Sequence, residues 1–238
     1  MFVASHVASR DQAVVAVLPH IIGRICTCVG GGTLSRTGDI VIQVMAGDAV
    51  CEGDVIETAS DGQIAISLLD GTCFMLSHDT RVVLGGLLCD PDNVSSSARF
   101  AVDRGSFAFV AGQTAKTGSL RIDTPVANIR GRAHAGGFGM LSLTALTFAT
   151  MSEVNAADPD ATFLDDDAIA YKDFEHGAFE LWTKEAIPRH IIVGDPGETV
   201  VLIKRGSSVN ISQFANSAAR MEELQAAQQA VLSNYARG

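Results

Sequence analysis

No stretch of this chain reaches the roughly 18 to 20 uninterrupted apolar residues that a membrane-spanning helix needs. The apolar run from Ala13 to Val29 is broken by Pro19, His20 and Arg24, and Met1 to Arg10 offers no basic segment leading into an apolar one. The expectation is a chain without a transmembrane segment or a standard signal peptide, soluble or exported by a route that does not read its N-terminus. Basic residues are scarce, 17 Lys and Arg against 27 Asp and Glu, and no basic cluster exceeds Lys204-Arg205. The resulting net charge of −10 repels phosphate backbones, which excludes nucleic acid as an expected partner. Disorder is not the expectation either, because apolar residues make up 47% of the chain and charged ones only 18%, with 6 prolines.

Signatures of catalysis are missing as well. The histidines at 6, 20, 78, 134, 176 and 190 form no His-x-x-x-His or His-Glu-x-x-His pattern, and there is no Gly-x-Ser-x-Gly elbow or phosphate loop. Gly136-Gly137-Phe138-Gly139 lacks the third glycine and the strand-then-helix setting of a dinucleotide site, so it reads as a turn. Five cysteines, Cys26, Cys28, Cys51, Cys73 and Cys89, are an odd set in no disulfide framework. On a strand Cys26 and Cys28 would share a face near His20, as a soft-metal site would need, but buried structural thiols are the commoner use of such residues. The chain is therefore expected to be no enzyme, with no catalytic, cofactor-binding or metal-binding residues and no cofactor.

What is present is a rhythm. With 238 residues the chain can bury a core without disulfides or metals. From Gly38 onward short alternating runs are separated by turn pairs about every ten residues, as in all-β proteins. The clearest is a hairpin: Ile64, Ile66 and Leu68 alternate with Ala65 and Ser67, Asp70-Gly71 supplies the turn, and Cys73 to Leu76 returns. Runs at 82–84, 100–102, 107–110, 120–122 and 126–129 follow, with turns at Asp103-Arg104-Gly105, Gly112 and Thr124-Pro125. Pro91 to Ser97 reads as a surface loop, and the Thr and Phe content of Gly136 to Met151 favours strands over a helix. Strand-like runs at 169–171, 178–182, 191–193, 199–203 and 209–211 make the second half β as well, with turns at His176-Gly177, Asp195-Pro196-Gly197 and Arg205-Gly206.

The last 26 residues lose Gly and Pro until Gly238 and fill with Ala, Gln, Glu, Met and Leu. They predict an amphipathic helix, N-capped by Ser212, with Phe214, Ala218, Met221, Leu224, Val231 and Tyr235 near one stripe. Such a stripe docks on a sheet or supports self-association. The acidic run Asp158 to Asp167 reads as a solvated loop, with calcium ligation by its carboxylates as the competing reading. The expected division is an N-terminal extension (1–35), a β domain (36–150), an additional β region packed on it (151–212) and a C-terminal helix (213–238).

Four motifs in order carry a resemblance. Gly47-Asp48-Ala49-Val50-Cys51-Glu52-Gly53-Asp54-Val55-Ile56-Glu57-Thr58, with Asp61-Gly62-Gln63-Ile64 and Leu69-Asp70-Gly71-Thr72, resembles the opening of the FecR domain. Arg104-Gly105-Ser106-Phe107 is similar to its "RGSF/L" strand entry, and Ile122-Asp123-Thr124-Pro125-Val126-Ala127 with Ile129-Arg130-Gly131 to its closing segment. The likeness covers about 36–135 and departs from the family at Arg132, where Thr is usual. Beyond about residue 140 the chain resembles the N-terminal regions of very large alphaproteobacterial surface proteins, in which a FecR-like unit precedes cadherin-like or VCBS-type repeats.

The resemblance implies a mostly β fold, solenoid-like or sandwich-like, that sequence alone does not choose between. It also implies a non-catalytic protein-interaction module of the bacterial cell envelope or surface, working in signalling, adhesion or assembly with an envelope or secretion component. The helix bundle and membrane helix of the family's iron-uptake regulators are not in this sequence, so the expectation is a fragment or a stand-alone copy and not a full sensor. Location is periplasmic or extracellular by resemblance, with the cytoplasm still open. Two other classes stay open: a carbohydrate-active β-helix enzyme using Asp carboxylates, and a calcium-dependent structural module.

Overall fold

A computed structural model describes residues 19–36, 40–88, 97–105, 107–110, 112, 114, 119–132, 145–150, 168–172, 178–193, 198–215 and 218. The elements among them are eighteen strands. First come β1 (Ile21–Val29), β2 (Gly32–Arg36), β3 (Ile40–Gln43), β4 (Ala49–Cys51), β5 (Val55–Thr58) and β6 (Gln63–Leu68). Then follow β7 (Cys73–Leu76), β8 (Arg81–Leu88), β9 (Ser97–Arg104), β10 (Phe107–Val110), β11 (Leu120–Asp123) and β12 (Ala127–Arg132). The last are β13 (Ala145–Thr150), β14 (Ala168–Lys172), β15 (Ala178–Thr183), β16 (His190–Val193), β17 (Glu198–Arg205) and β18 (Ser208–Ala215).

These strands make two open nine-stranded sheets, and neither closes into a barrel. The first runs β4-β1-β6-β7-β10-β13-β14-β17-β18 and the second β3-β2-β5-β8-β9-β11-β12-β15-β16. From β5 onward each sheet adds its strands in chain order, so the chain shuttles between the two sheets while advancing in one direction. Among the described residues only β9 and β11 pair in parallel, Arg121 beside Arg99 and Ile122 beside Phe100.

Alternation decides which side chains face inward. On β11 Leu120 and Ile122 are buried while Arg121 is exposed, and on β9 Phe100 and Val102 are buried while Arg99 is exposed. The buried apolar residues of both sheets form one cluster, from Ile22, Ile66 and Phe74 on the first sheet to Leu84, Ile129 and Leu181 on the second. Phe74 of β7 meets Phe100 of β9 edge to face, with ring centroids 4.8 Å apart, so the two sheets share a core through direct aromatic contact.

The hairpin read at Gly62 is present as β6 and β7, paired from Ile64↔Leu76 to Ser67↔Cys73. Arg205-Gly206 turns β17 into β18, which pair from Glu198↔Ala215 to Arg205↔Ser208. Part of the Gly136 to Met151 stretch is strand β13, as its composition suggested.

Two readings need correction. β1 and β2 precede Gly38, where the strand rhythm was expected to begin. β1 lies between β4 and β6, and β2 between β3 and β5. The signal was hidden because β1 carries register shifts between Ile21 and Gly23 and between Ile25 and Thr27. With them Ile22, Ile25 and Cys28 turn to the core at intervals of three, which the two-residue period of a regular strand does not reveal. Ser212, read as a helix N-cap, instead sits in β18, opposite Val201, because the alternating Val209 and Ile211 continue into a paired strand as far as Ala215.

Of the loop predicted at 91–97 the last residue, Ser97, opens β9, and the rest, with the glycine run at 136–139, the acidic run at 158–167, the turns at 176–177 and 195–197 and the C-terminal stripe beyond 218, lies outside the described residues.

Candidate functional site

The glycine and aspartate motifs fold back on themselves. Asp54 is fully buried after the Gly53 turn, and its carboxylate accepts the Cys51 N–H at 2.7 Å. It also accepts Arg36 Nε at 2.8 Å and Nη2 at 2.7 Å, a bidentate pair that ties β2 to the turn before β5. Asp70 accepts the Thr72 N–H at 2.9 Å and the Thr72 hydroxyl at 2.8 Å, and the Thr114 hydroxyl donates to the same carboxylate. The Thr72 hydroxyl in turn accepts the Gly112 N–H at 3.0 Å. Thr124 closes its own turn, donating to the Ala127 carbonyl at 2.7 Å. Each of these polar groups is committed to backbone or to a buried partner, so the motif residues build the fold and their carboxylates are spent on turns.

The thiols are placed differently from the sequence reading. Register slips past Cys26, and of the two cysteines it is Cys28 that packs against the core. The shared face that plain alternation would give them is thereby lost. Burial holds the Cys28 and Cys51 thiols above the usual thiol range, against any thiolate chemistry. His20 stands by Glu52, Nδ1 to Oε2 3.4 Å, at an exposed position. Among the described residues no three His, Cys, Asp or Glu side chains converge as a metal site requires.

The surface is more informative than the interior. Strand β3 ends the second sheet, pairs only with β2 among the described residues, and is exposed along its whole length. Ile40 is 56% exposed, Val41 60% and Ile42 41%, and Met45 follows at 65%. A sheet edge with free backbone groups and bare β-branched side chains on both faces is a template for another strand. The hydrophobic run was visible in the sequence, but its place at an edge was not.

A second feature occupies the outer face of the second sheet at its other end. Trp182 of β15 stacks on His190 of β16, centroids 4.3 Å apart and planes at 17°, while Arg130 of β12 lies over the indole at 5.4 Å. His190 Nε2 is 3.5 Å from Glu180 Oε2, and Lys184 forms an ion pair with Asp123. Arg130, Trp182 and His190 are separated by 52 and 8 positions in the sequence and come together only through the register Arg130↔Glu180 and Trp182↔His190.

Among the described residues no helix is long and apolar enough to cross a membrane. No curated protein matches the chain. The buried Asp54 and Asp70 turns, the Gly105 turn and the Thr124 turn all fall in one stretch, residues 54–137, which matches the family model described as FecR protein.

Proposed function

We propose that the chain is a non-catalytic protein-interaction module of the bacterial cell envelope or surface, and that β3 is the edge on which an extended segment of a partner adds as a further strand. FecR domains are regulatory and signalling units of envelope proteins, without enzymatic activity of their own, which supports the class. The exposed run Ile40, Val41 and Ile42 on a terminal strand carries the specific reading. Backbone pairing along β3 would supply affinity, and the side chains on alternate faces would supply selectivity. The partner is read as an envelope or secretion-apparatus component.

The test is affinity capture from an envelope lysate with the full chain as bait, run beside an Ile40→Lys/Ile42→Lys variant. Charged residues on an edge strand block strand addition while leaving the existing β2–β3 ladder in place. The expected result is a defined envelope protein held by the parent chain and lost by the variant, with thermal stability changed by no more than about 0.5 kcal/mol, as for other surface positions. Equal capture by both proteins would sink the role of β3. Release of reducing sugar from envelope polysaccharide would overturn the non-catalytic reading.

A further inference from the structure

We propose that the outer face of the second sheet binds a short acidic, carboxylate-bearing polypeptide segment through a ladder of three arginines, Arg99, Arg121 and Arg130. This goes beyond strand addition at β3 and rests on different strands, so the two surfaces fail separately.

The ladder is created by register. Arg121 of β11 stands beside Arg99 of β9 in the parallel pair and beside Arg130 of β12 in the antiparallel pair, and Arg130 stands beside Glu180 of β15. Neighbours on all three strands show the facing, since Ala98, Phe100, Leu120, Ile122 and Ile129 are all buried on the opposite side. Adjacent strands lie about 4.8 Å apart, so three guanidinium stems occupy roughly 10 Å of one row.

Like charges directly opposite one another destabilise a sheet. Among the described residues no carboxylate lies within ion-pair range of Arg99, Arg121 or Arg130, while the nearby acids are engaged elsewhere, Glu180 with His190 and Asp123 with Lys184. Arg130 is also pre-set: its guanidinium lies over Trp182, and its Nε is buried with no hydrogen-bond acceptor. A buried donor without an acceptor is costly and points to a missing anionic partner.

The chemistry of that partner follows from what surrounds the row. Trp182 already carries His190 stacked at 4.3 Å and the Arg130 guanidinium at 5.4 Å, which makes the indole a poor platform for a sugar ring. The net charge of −10 opposes a long polyanion once it extends past the row. Successive side chains of an extended chain alternate faces, so over roughly 10 Å such a segment turns two carboxylates toward the three guanidinium forks.

The experiment titrates the full chain into fluorescein-labelled octaglutamate and follows anisotropy at low and at high salt. Binding should weaken with salt. An Arg99→Gln/Arg121→Gln variant should lose about tenfold in affinity, and Arg99→Lys/Arg121→Lys should recover part of it, since lysine keeps the charge but not the bidentate fork. Both arginines are exposed, so the thermal midpoint is expected to stay constant, and a folded variant makes the comparison valid. Absence of octaglutamate binding overturns the proposal, as does binding that the glutamine variant leaves unchanged. Tight binding of dextran sulfate that octaglutamate does not displace overturns it in favour of a polysaccharide. Envelope-partner capture by the glutamine variant at parental level, with octaglutamate binding lost, leaves both surfaces standing as independent sites.

Discussion

Gly53 and Gly105 have the same backbone and different surroundings. Both adopt φ of +85°, in the left-handed region that costs a residue with a Cβ about 1–2 kcal/mol. A Cβ on Gly53 would meet nothing within 4 Å, whereas one on Gly105 would fall 2.2 Å from Thr80 Oγ1 and 2.3 Å from its Cα. Gly53→Val is therefore expected to lose about 1–2 kcal/mol in urea unfolding, the backbone cost alone. Gly105→Val should lose clearly more, about 3 kcal/mol or above, because overpacking adds to the backbone cost. Equal losses, or none in either variant, would refute the assignment of these turns.

Between elements, Glu185 ties the loop that joins β15 and β16 to β18. Its carboxylate accepts Arg189 Nε at 2.5 Å, the Thr183 hydroxyl at 2.8 Å and the Val209 N–H at 3.1 Å, a group on the other sheet. The Arg189 guanidinium first, then Thr183, holds the Glu185 carboxyl down at about 2. An unfolded glutamate titrates near 4.3, so the contribution of this group to stability is present above that pH and is lost as pH falls from there toward about 2. Glu185→Gln is expected to flatten the acid limb of the stability–pH curve in that window and to leave its slope near neutrality unchanged. Superimposable acid limbs for the two proteins would remove Glu185 from this role.

Across the whole molecule, one shared core makes two open sheets into a unit. Phe74 contacts Phe100 across the sheets and Phe107 beside it, at centroid distances of 4.8 and 5.9 Å, and all three rings are fully buried. Phe74→Ala is expected to cost about 3–5 kcal/mol in chemical unfolding. The loss should appear as one cooperative transition reported alike by Trp182 fluorescence and by far-UV circular dichroism, because Trp182 sits on a sheet that shares the core. Two separate transitions would show that the sheets unfold independently. Among the described residues β3 ends the second sheet on one side, and the Arg130–Trp182–His190 stack lies toward the other.

The amino-acid order alone determined the strand rhythm, the Asp70-Gly71 hairpin and the Gly–Asp turns, because these depend on neighbours within a few residues: alternation sets the buried face, and glycine permits φ above zero. Those turns also carry the resemblance to the FecR family, whose model matches residues 54–137. β1 escaped it because two register shifts replaced the two-residue period, and the Ser212 cap failed because pairing with Val201 outweighed a local capping signal. Which sheet each strand joins, that β3 is an edge, and that Arg99, Arg121 and Arg130 stand in one row were decided only by tertiary structure. Those relations join residues up to dozens of positions apart, and a one-residue slip in register would send each of these side chains to the opposite face.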